Sequence, residues 1–170
     1  MLIRPATPAD REATWSILEP IVRAGETFAL PRDLSREDTL GYWFHPEHEV
    51  FVAELPGSGV LGTYFLQANQ RGPGSHVANC GYATAPAAQG RGIARTMCAH
   101  SLRRASERGF RSMQFNIVVS TNAPAVHLWE SMGFQTLCRV PGAFLHPRLG
   151  EVDTLVMFRA LGDHPDRAGG

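Results

Sequence analysis

Gln89-Gly90-Arg91-Gly92-Ile93-Ala94 is the stretch on which the fold turns. It follows a strand-like run, Val77 to Thr84, closed by Ala85-Pro86, and opens a helix-like run, Ala94 to Glu107, rich in Ala, Leu, Met and Arg. A glycine-bearing turn between strand and helix points several backbone N–H groups outward at the positive end of the helix dipole. That is a cradle for a pyrophosphate. Gly90 and Gly92 let the backbone approach the anion, and Arg91 or Arg95 adds charge. A P-loop is excluded, because it needs a lysine after its last glycine and all sixteen Lys+Arg residues are arginines. A dinucleotide fingerprint fits poorly: Arg95 stands where the third glycine belongs, and the turn lies in mid-chain rather than after the first strand of a βαβ unit. An ordinary strand–helix turn that happens to hold glycine is the bland competitor, which a second signal has to beat.

The rest of the chain reads outward from this turn. Leu2 to Pro5 is a short strand and Ala9 to Ala24 a helix, which Pro20 is expected to break or kink. Glu26 to Asp33 is an apolar-tipped loop. Ser35-x-x-Asp38 caps a second helix reaching Trp43 or Phe44. Glu49 to Leu55 and Val60 to Gln67 are strands around the hairpin signal Pro56-Gly57-Ser58-Gly59. After the central turn come a strand at Ser112 to Val119, a short helix at Pro124 to Ser131 stopped by Gly133, and strands at Phe134 to Val140 and Asp153 to Arg159. The order β-α-α-β-β-β-α-β-α-β-β predicts an α/β domain, a mixed sheet with helices on its faces, over residues 1–160. The polar, glycine-rich residues 161–170 are expected to fray.

Composition narrows the partners. A chain of 170 residues with 44% hydrophobic content supports one globular domain with a sizeable core. Sixteen basic residues balance sixteen acidic ones, which argues against nucleic acid and against an anionic membrane surface. Cys80, Cys98 and Cys138 each sit in an apolar run and are expected as reduced core residues of a cytoplasmic protein. No charged-then-apolar leader opens the chain and no apolar run approaches ~18 residues, so neither secretion nor a membrane span is expected. His45-Pro46-Glu47-His48 superficially offers a metal pair, but Pro46 opposes helical i, i+3 geometry and no third ligand is evident. It reads as a solvated loop, and no metal is expected.

The second signal lies about thirty residues beyond the first. Gln89 to Ala94 resembles Q/R-x-x-G-x-G/A, the acetyl-CoA signature of the GCN5-related N-acetyltransferase (GNAT) family, at every specified position. Asn122, Ala125, Leu128, Gly133 and Phe134 resemble the family's N-x-x-A-x-x-L-Y-x-x-x-G-F. The resemblance implies the family's fold, a mixed, mostly antiparallel sheet splayed into a V between its fourth and fifth strands, where the pantetheine arm of acetyl-CoA inserts. Splayed strands leave backbone groups unpaired, and an amide-rich arm pairs them like an added strand. Carried over residue by residue, the cofactor contacts are Ala83 and Thr84 beside the thioester, Gln89, Gly90, Arg91, Gly92, Ile93 and Ala94 at the pyrophosphate, and Asn122. Asn122 is equally placed to cap the helix before Pro124.

One departure touches the chemistry. Trp129 stands where the family has a tyrosine often assigned as the acid that protonates the departing thiolate. An indole N–H donates a hydrogen bond but does not surrender its proton. Solvent, Ser120 or Tyr82 is left for that role, and a thiol titrating near ~8.5 is a tolerable leaving group without help. The fourth strand also lacks the carboxylate base that many members carry. His76 has a suitable intrinsic pKa but reads as a surface residue, and a water chain is the other route for the amine's proton.

Asparagine is a poor strand residue, so Asn79 and Asn116 each need a partner. One account is a bulge or a neighbouring backbone group. The other places both at the mouth of the V, holding a substrate. With Asn122 and Pro141-Gly142-Ala143-Phe144 they resemble the branch that includes the yeast proline-analogue (azetidine-2-carboxylate) acetyltransferase, where asparagines are assigned to substrate orientation and catalysis. The implied activity is acetyl transfer to a small-molecule amine, an amino acid or an analogue. Its rivals are protein or peptide acetylation and a non-catalytic acyl-CoA sensor. The oligomeric state stays open, a homodimer included.

Overall fold

Seven strands form one sheet: β1 (Leu2–Pro5), β2 (Glu49–Leu55), β3 (Gly59–Ala68), β4 (Val77–Thr84), β5 (Ser112–Val119), β6 (Gln135–His146) and β7 (Gly150–Ala160). Their spatial order is β1-β2-β3-β4-β5-β7-β6, and every neighbouring pair is antiparallel except β4–β5. Helices α1 (Arg11–Ala24), α2 (Arg36–Trp43), α3 (Ile93–Glu107) and α4 (Ala123–Ser131) complete the element order expected from the sequence. The computed structural model describes residues 1–162, so the fraying expected of the tail lies, from residue 163 onward, outside the described residues.

Alternation along β3 shows how the layers form. Phe65 turns to one face and packs with Ile17 and Leu18 of α1, Trp43 of α2 and Ala83. Tyr64 and Leu66 turn to the other, into a cluster with Met97 and Cys98 of α3 and Trp129 of α4. Burying each large apolar side chain contributes ~1.5–3 kcal/mol, which holds helices on both faces. The caps act where expected. Ser35 Oγ accepts from the Asp38 N–H at 3.0 Å, and Asn122 Oδ1 accepts from the Ala125 N–H at 3.3 Å.

Three expectations need correction. Helix α1 runs unbroken through Pro20, which lies on its exposed face, where the carbonyl one turn back meets water rather than core. Strands β6 and β7 are longer than their sequence limits, because Pro141 and Gly142 do not end β6. It is an edge strand, where proline is tolerated, and its register shifts between Val140 and Phe144 to absorb the extra residues. Cys138, read as core, is exposed on that edge strand, whereas Cys80 and Cys98 are buried as expected.

Candidate active site

Strands β4 and β5 pair only at Val77↔Ser112 and Ala78↔Met113 and then part. At the next position the Asn79 side chain takes over from the backbone, its Nδ2 donating to the Gln114 carbonyl at 2.8 Å. Beyond that bridge, the β5-facing edge of β4 has no strand partner, although its other edge is paired to β3 through Thr84. On β5, the register to β7 shifts between Phe115 and Val118, leaving Asn116 and Ile117 as consecutive exposed residues without a partner in the β7 register. The splay and a strand bulge therefore lie side by side.

A cavity of about 540 Å³ fills this fork. Its lining includes Ala83, Thr84, Gln89, Val119, Asn122 and Trp129 together with Ile21, Phe28, Tyr42, Phe65, Asn79 and Asn116. Among the described residues, none lining it is Asp, Glu, Arg or His. Its polar groups are amides, hydroxyls, one thiol and open strand backbone. Such a surface binds through hydrogen bonds rather than ion pairs.

The glycine turn adjoins the cavity at Gln89. Gly90 and Gly92 have φ of 75° and 74°, in the left-handed region that glycine alone enters cheaply, and a Cβ at either would meet no atom within 4 Å. Among the described residues, the N–H groups of Gly90, Arg91 and Gly92 find no acceptor in the chain, and Ile93 and Ala94 begin α3. This is an outward-facing nest at a helix N-terminus, and its residues fit a diphosphate. Arg91 is exposed and unpaired among the described residues, but Arg95 is tied to Ser131 Oγ at 2.7 Å. The Ile93 side chain is buried beneath the turn, so only its backbone faces outward.

The chemistry-bearing candidates fall into place unevenly. Asn79, Asn116, Ala83, Thr84, Gln89 and Asn122 all line the cavity. Asn116 Nδ2 donates to Asn69 Oδ1 at 2.7 Å, and its Oδ1 accepts from Gln114 Nε2 at 2.9 Å. Both asparagines thus have the partners that strand positions demand, while facing the cavity. Trp129 is buried against Tyr82 and Phe115, with ring centroids 5.0 Å from each, and its N–H has no acceptor among the described residues. The Tyr82 hydroxyl lies 2.7 Å from Ser101 Oγ of α3, and burial pushes its pKa well above the usual phenol value. Ser120 is absent from the described cavity wall. Neither hydroxyl is presented as an acid. Burial raises the Cys80 thiol to about 12, which makes it a poor nucleophile at neutral pH. His76 is exposed and bonded to the Pro73 carbonyl, a surface residue as expected.

Sequence reasoning missed Gln67 and the Thr27–Leu30 wall. The signal for Gln67 was the one used for the asparagines, a polar residue in an apolar strand, and it pairs directly with Asn79 across β3–β4.

The profile of the acetyltransferase (GNAT) family matches residues 13–134. The chain belongs to the GNAT family. This GNAT chain is similar over most of its length to a GCN5-related N-acetyltransferase from Kribbella flavida, at 40% identity and TM-score 0.90, covering 94% of this chain and 97% of that one. It is 34% identical over 128 residues to the N-acetyltransferase aca1 of Schizosaccharomyces pombe, which is 66% of this chain and 61% of that protein. The structure of yncA from Salmonella typhimurium with its cofactor acetyl-CoA shares the GNAT fold, at TM-score 0.84 and 24% identity, covering 96% of this chain and 95% of that one.

Proposed function

We propose that the chain is an acetyl-CoA-dependent N-acetyltransferase acting on the amine of a small molecule, an amino acid or an analogue, by direct attack on the thioester. The observation that carries this reading is one uncharged cavity lined by Gln89, where the glycine turn begins, by the open edge of β4, and by the amides of Gln67, Asn79 and Asn116. Acetyl-CoA supplies an acetyl group already activated as a thioester. Gly90 to Ala94 hold the diphosphate, and the β4 backbone pairs the pantetheine amides. A backbone N–H near Ala83 or Thr84 polarises the acetyl carbonyl, as an oxyanion site does. Asn79 and Asn116 orient the amine, and Asn79 Oδ1 is the better placed, being without a partner among the described residues.

The amine nitrogen bonds to the acetyl carbon, the C–S bond breaks with its electron pair leaving on sulfur, and the surplus amine proton passes to solvent. The uncharged wall supports this proton route, since it offers neither carboxylate nor imidazole as base. The same neutrality disfavours polycationic acceptors and basic peptides, which call for clustered carboxylates. The asparagines and Pro141–Phe144 favour the proline-analogue branch within the family. The Trp129 substitution motivates a second reading, a non-catalytic acyl-CoA sensor. Release of free thiol from acetyl-CoA across a panel of amines separates the two: amine-dependent release supports the enzyme, and tight binding without release with any amine supports the sensor.

A further inference from the structure

His48 belongs to a motif that the function so far leaves unused, and it is not solvated as its loop suggested. Its ring stacks on Phe65 with centroids 4.1 Å apart and planes 7° from parallel. Nδ1 lies 3.0 Å from the Trp43 carbonyl oxygen and Nε2 lies 3.1 Å from the Gln67 carboxamide. Gln67 lines the cavity and is the register partner of Asn79. Phe65 lines it too. A chain of contacts therefore runs from a loop histidine through one amide to a second at the pocket floor.

The hydrogen-bond inventory of that chain admits two states. The Trp43 carbonyl only accepts, so Nδ1 carries a proton in both. In the imidazolium, Nε2–H donates to Gln67 Oε1, which turns the Gln67 NH₂ toward the cavity. In the neutral ring, Nε2 is an acceptor and bonds the Gln67 NH₂, which turns Oε1 toward the cavity. The 3.1 Å contact serves either state, with Oε1 toward the ring in the cation. The neutral ring requires the amide turned over.

We propose that His48 is a positioning residue for the acceptor, setting which end of the Gln67 carboxamide faces the cavity beside Asn79. This rests on the acetyl-transfer reading above. A neutral amine must keep its lone pair for the thioester and can only donate its N–H groups elsewhere. A carbonyl from Gln67 accepts such an N–H and leaves the lone pair free, whereas an NH₂ from Gln67 competes for that lone pair and stalls attack. Neutral His48 is thus the productive state. Burial favours it by lowering the His48 pKa, outweighing the hydrogen bonds to the Trp43 carbonyl and Gln67, which raise it; His45, at a ring distance of 5.5 Å, adds to the lowering. Glu47 opposes this but is itself paired with Arg71 at 3.0 Å, and Tyr42 faces the ring edge-on at 5.8 Å.

The direct test is ¹⁵N NMR of the full chain without acceptor. Neutral His48 with its proton on Nδ1 at neutral pH is expected; a proton on Nε2 in the neutral ring, or an imidazolium at neutral pH, overturns the inference. Kinetics test the acceptor role. His48→Phe keeps the stack but loses both polar contacts. It should raise acceptor KM roughly tenfold with acetyl-CoA KM unchanged. Gln67→Leu should do the same, and the double variant should be no worse than Gln67→Leu alone. Additive losses overturn action through Gln67. For a strongly basic acceptor, log kcat/KM should steepen by one proton as pH falls through the His48 pKa measured by NMR. His48→Gln, which does not titrate, should lose that extra slope; retention of the slope overturns the assignment. A wrong tautomer defeats this inference alone, whereas absent thiol release with every amine defeats the acetyl-transfer reading and the acceptor role with it.

Discussion

The two edges of β4 have the same sequence between them and opposite fates. Toward β3 it pairs continuously from Ala78 to Thr84. Toward β5 it pairs at Val77 and Ala78 and then opens. Backbone hydrogen-bonding groups are not left unpaired without cost, so an open edge inside a sheet persists only if water or a ligand satisfies it. The closed edge builds the domain and the open edge lines the candidate site. What separates them is local. A bulge at Asn116–Ile117 bends β5, and the Asn79 amide terminates the pairing where the fork begins.

Removing that terminator should have the largest effect. Asn79→Ala leaves the Gln114 carbonyl without its partner and deletes the free Oδ1 from the cavity. The expected loss is ~10² in kcat/KM, the scale of one preorganised group, with ~1–3 kcal/mol of stability. Steady-state kinetics corrected for the folded fraction separate the two. Normal kcat/KM per folded molecule would leave Asn79 a purely structural bridge. Asn116→Ala should cost less stability, because that side chain is exposed, and its kinetic loss measures the acceptor contact more cleanly.

Glycine substitutions contrast the two edges directly. Gly92→Val places a side chain in the open cradle, where it meets no protein atom within 4 Å but blocks the diphosphate, and at φ 74° it also costs ~1–2 kcal/mol of stability through backbone strain. Acetyl-CoA affinity measured by calorimetry should fall at least tenfold, or ~1.4 kcal/mol, with the fold retained. Gly62 lies on the closed side, and a Cβ there would stand 2.8 Å from Ile93 Cγ2. Gly62→Val should cost ~1–3 kcal/mol of stability, with a smaller loss of affinity per folded molecule, passed on through Ile93 beneath the turn. Similar behaviour of the two variants would erase the distinction between cradle and seam.

The smallest effect is expected at Trp129. Trp129→Phe keeps the contacts to Tyr82 and Phe115 in kind and removes one N–H, so turnover should fall only a fewfold with the same pH profile. A thousandfold loss at unchanged acetyl-CoA affinity would mean that the indole takes part in the chemistry.

The closed parts of the molecule were the more legible in sequence. Alternation and turn residues placed every strand and helix in order, and two spaced motifs marked the cradle and the cap at Asn122. Pro20 and Pro141 misled because a proline's cost depends on where its neighbours sit, on an exposed helix face and on a sheet edge here. The open part was half legible. Asn79 and Asn116 stood out as polar residues in apolar strands, but Gln67 joins them through the β3–β4 register, and His48 through its stack on Phe65 and its contact with Gln67. Those relations are tertiary: Gln67 carried the local signal of a polar strand residue but not its pairing, and His48 carried none. The wall at Thr27–Leu30 comes from a loop whose apolar tip gave a hint but no direction.

The central claim is that acetyl-CoA occupies the open edge of β4. Residue-resolved amide hydrogen exchange with and without acetyl-CoA tests it most directly. The account expects slowed exchange at Tyr82–Thr84 and at Gly90–Ala94 on binding, with little change at Thr63–Leu66 across the closed seam. Saturating acetyl-CoA that binds yet protects neither segment would contradict it.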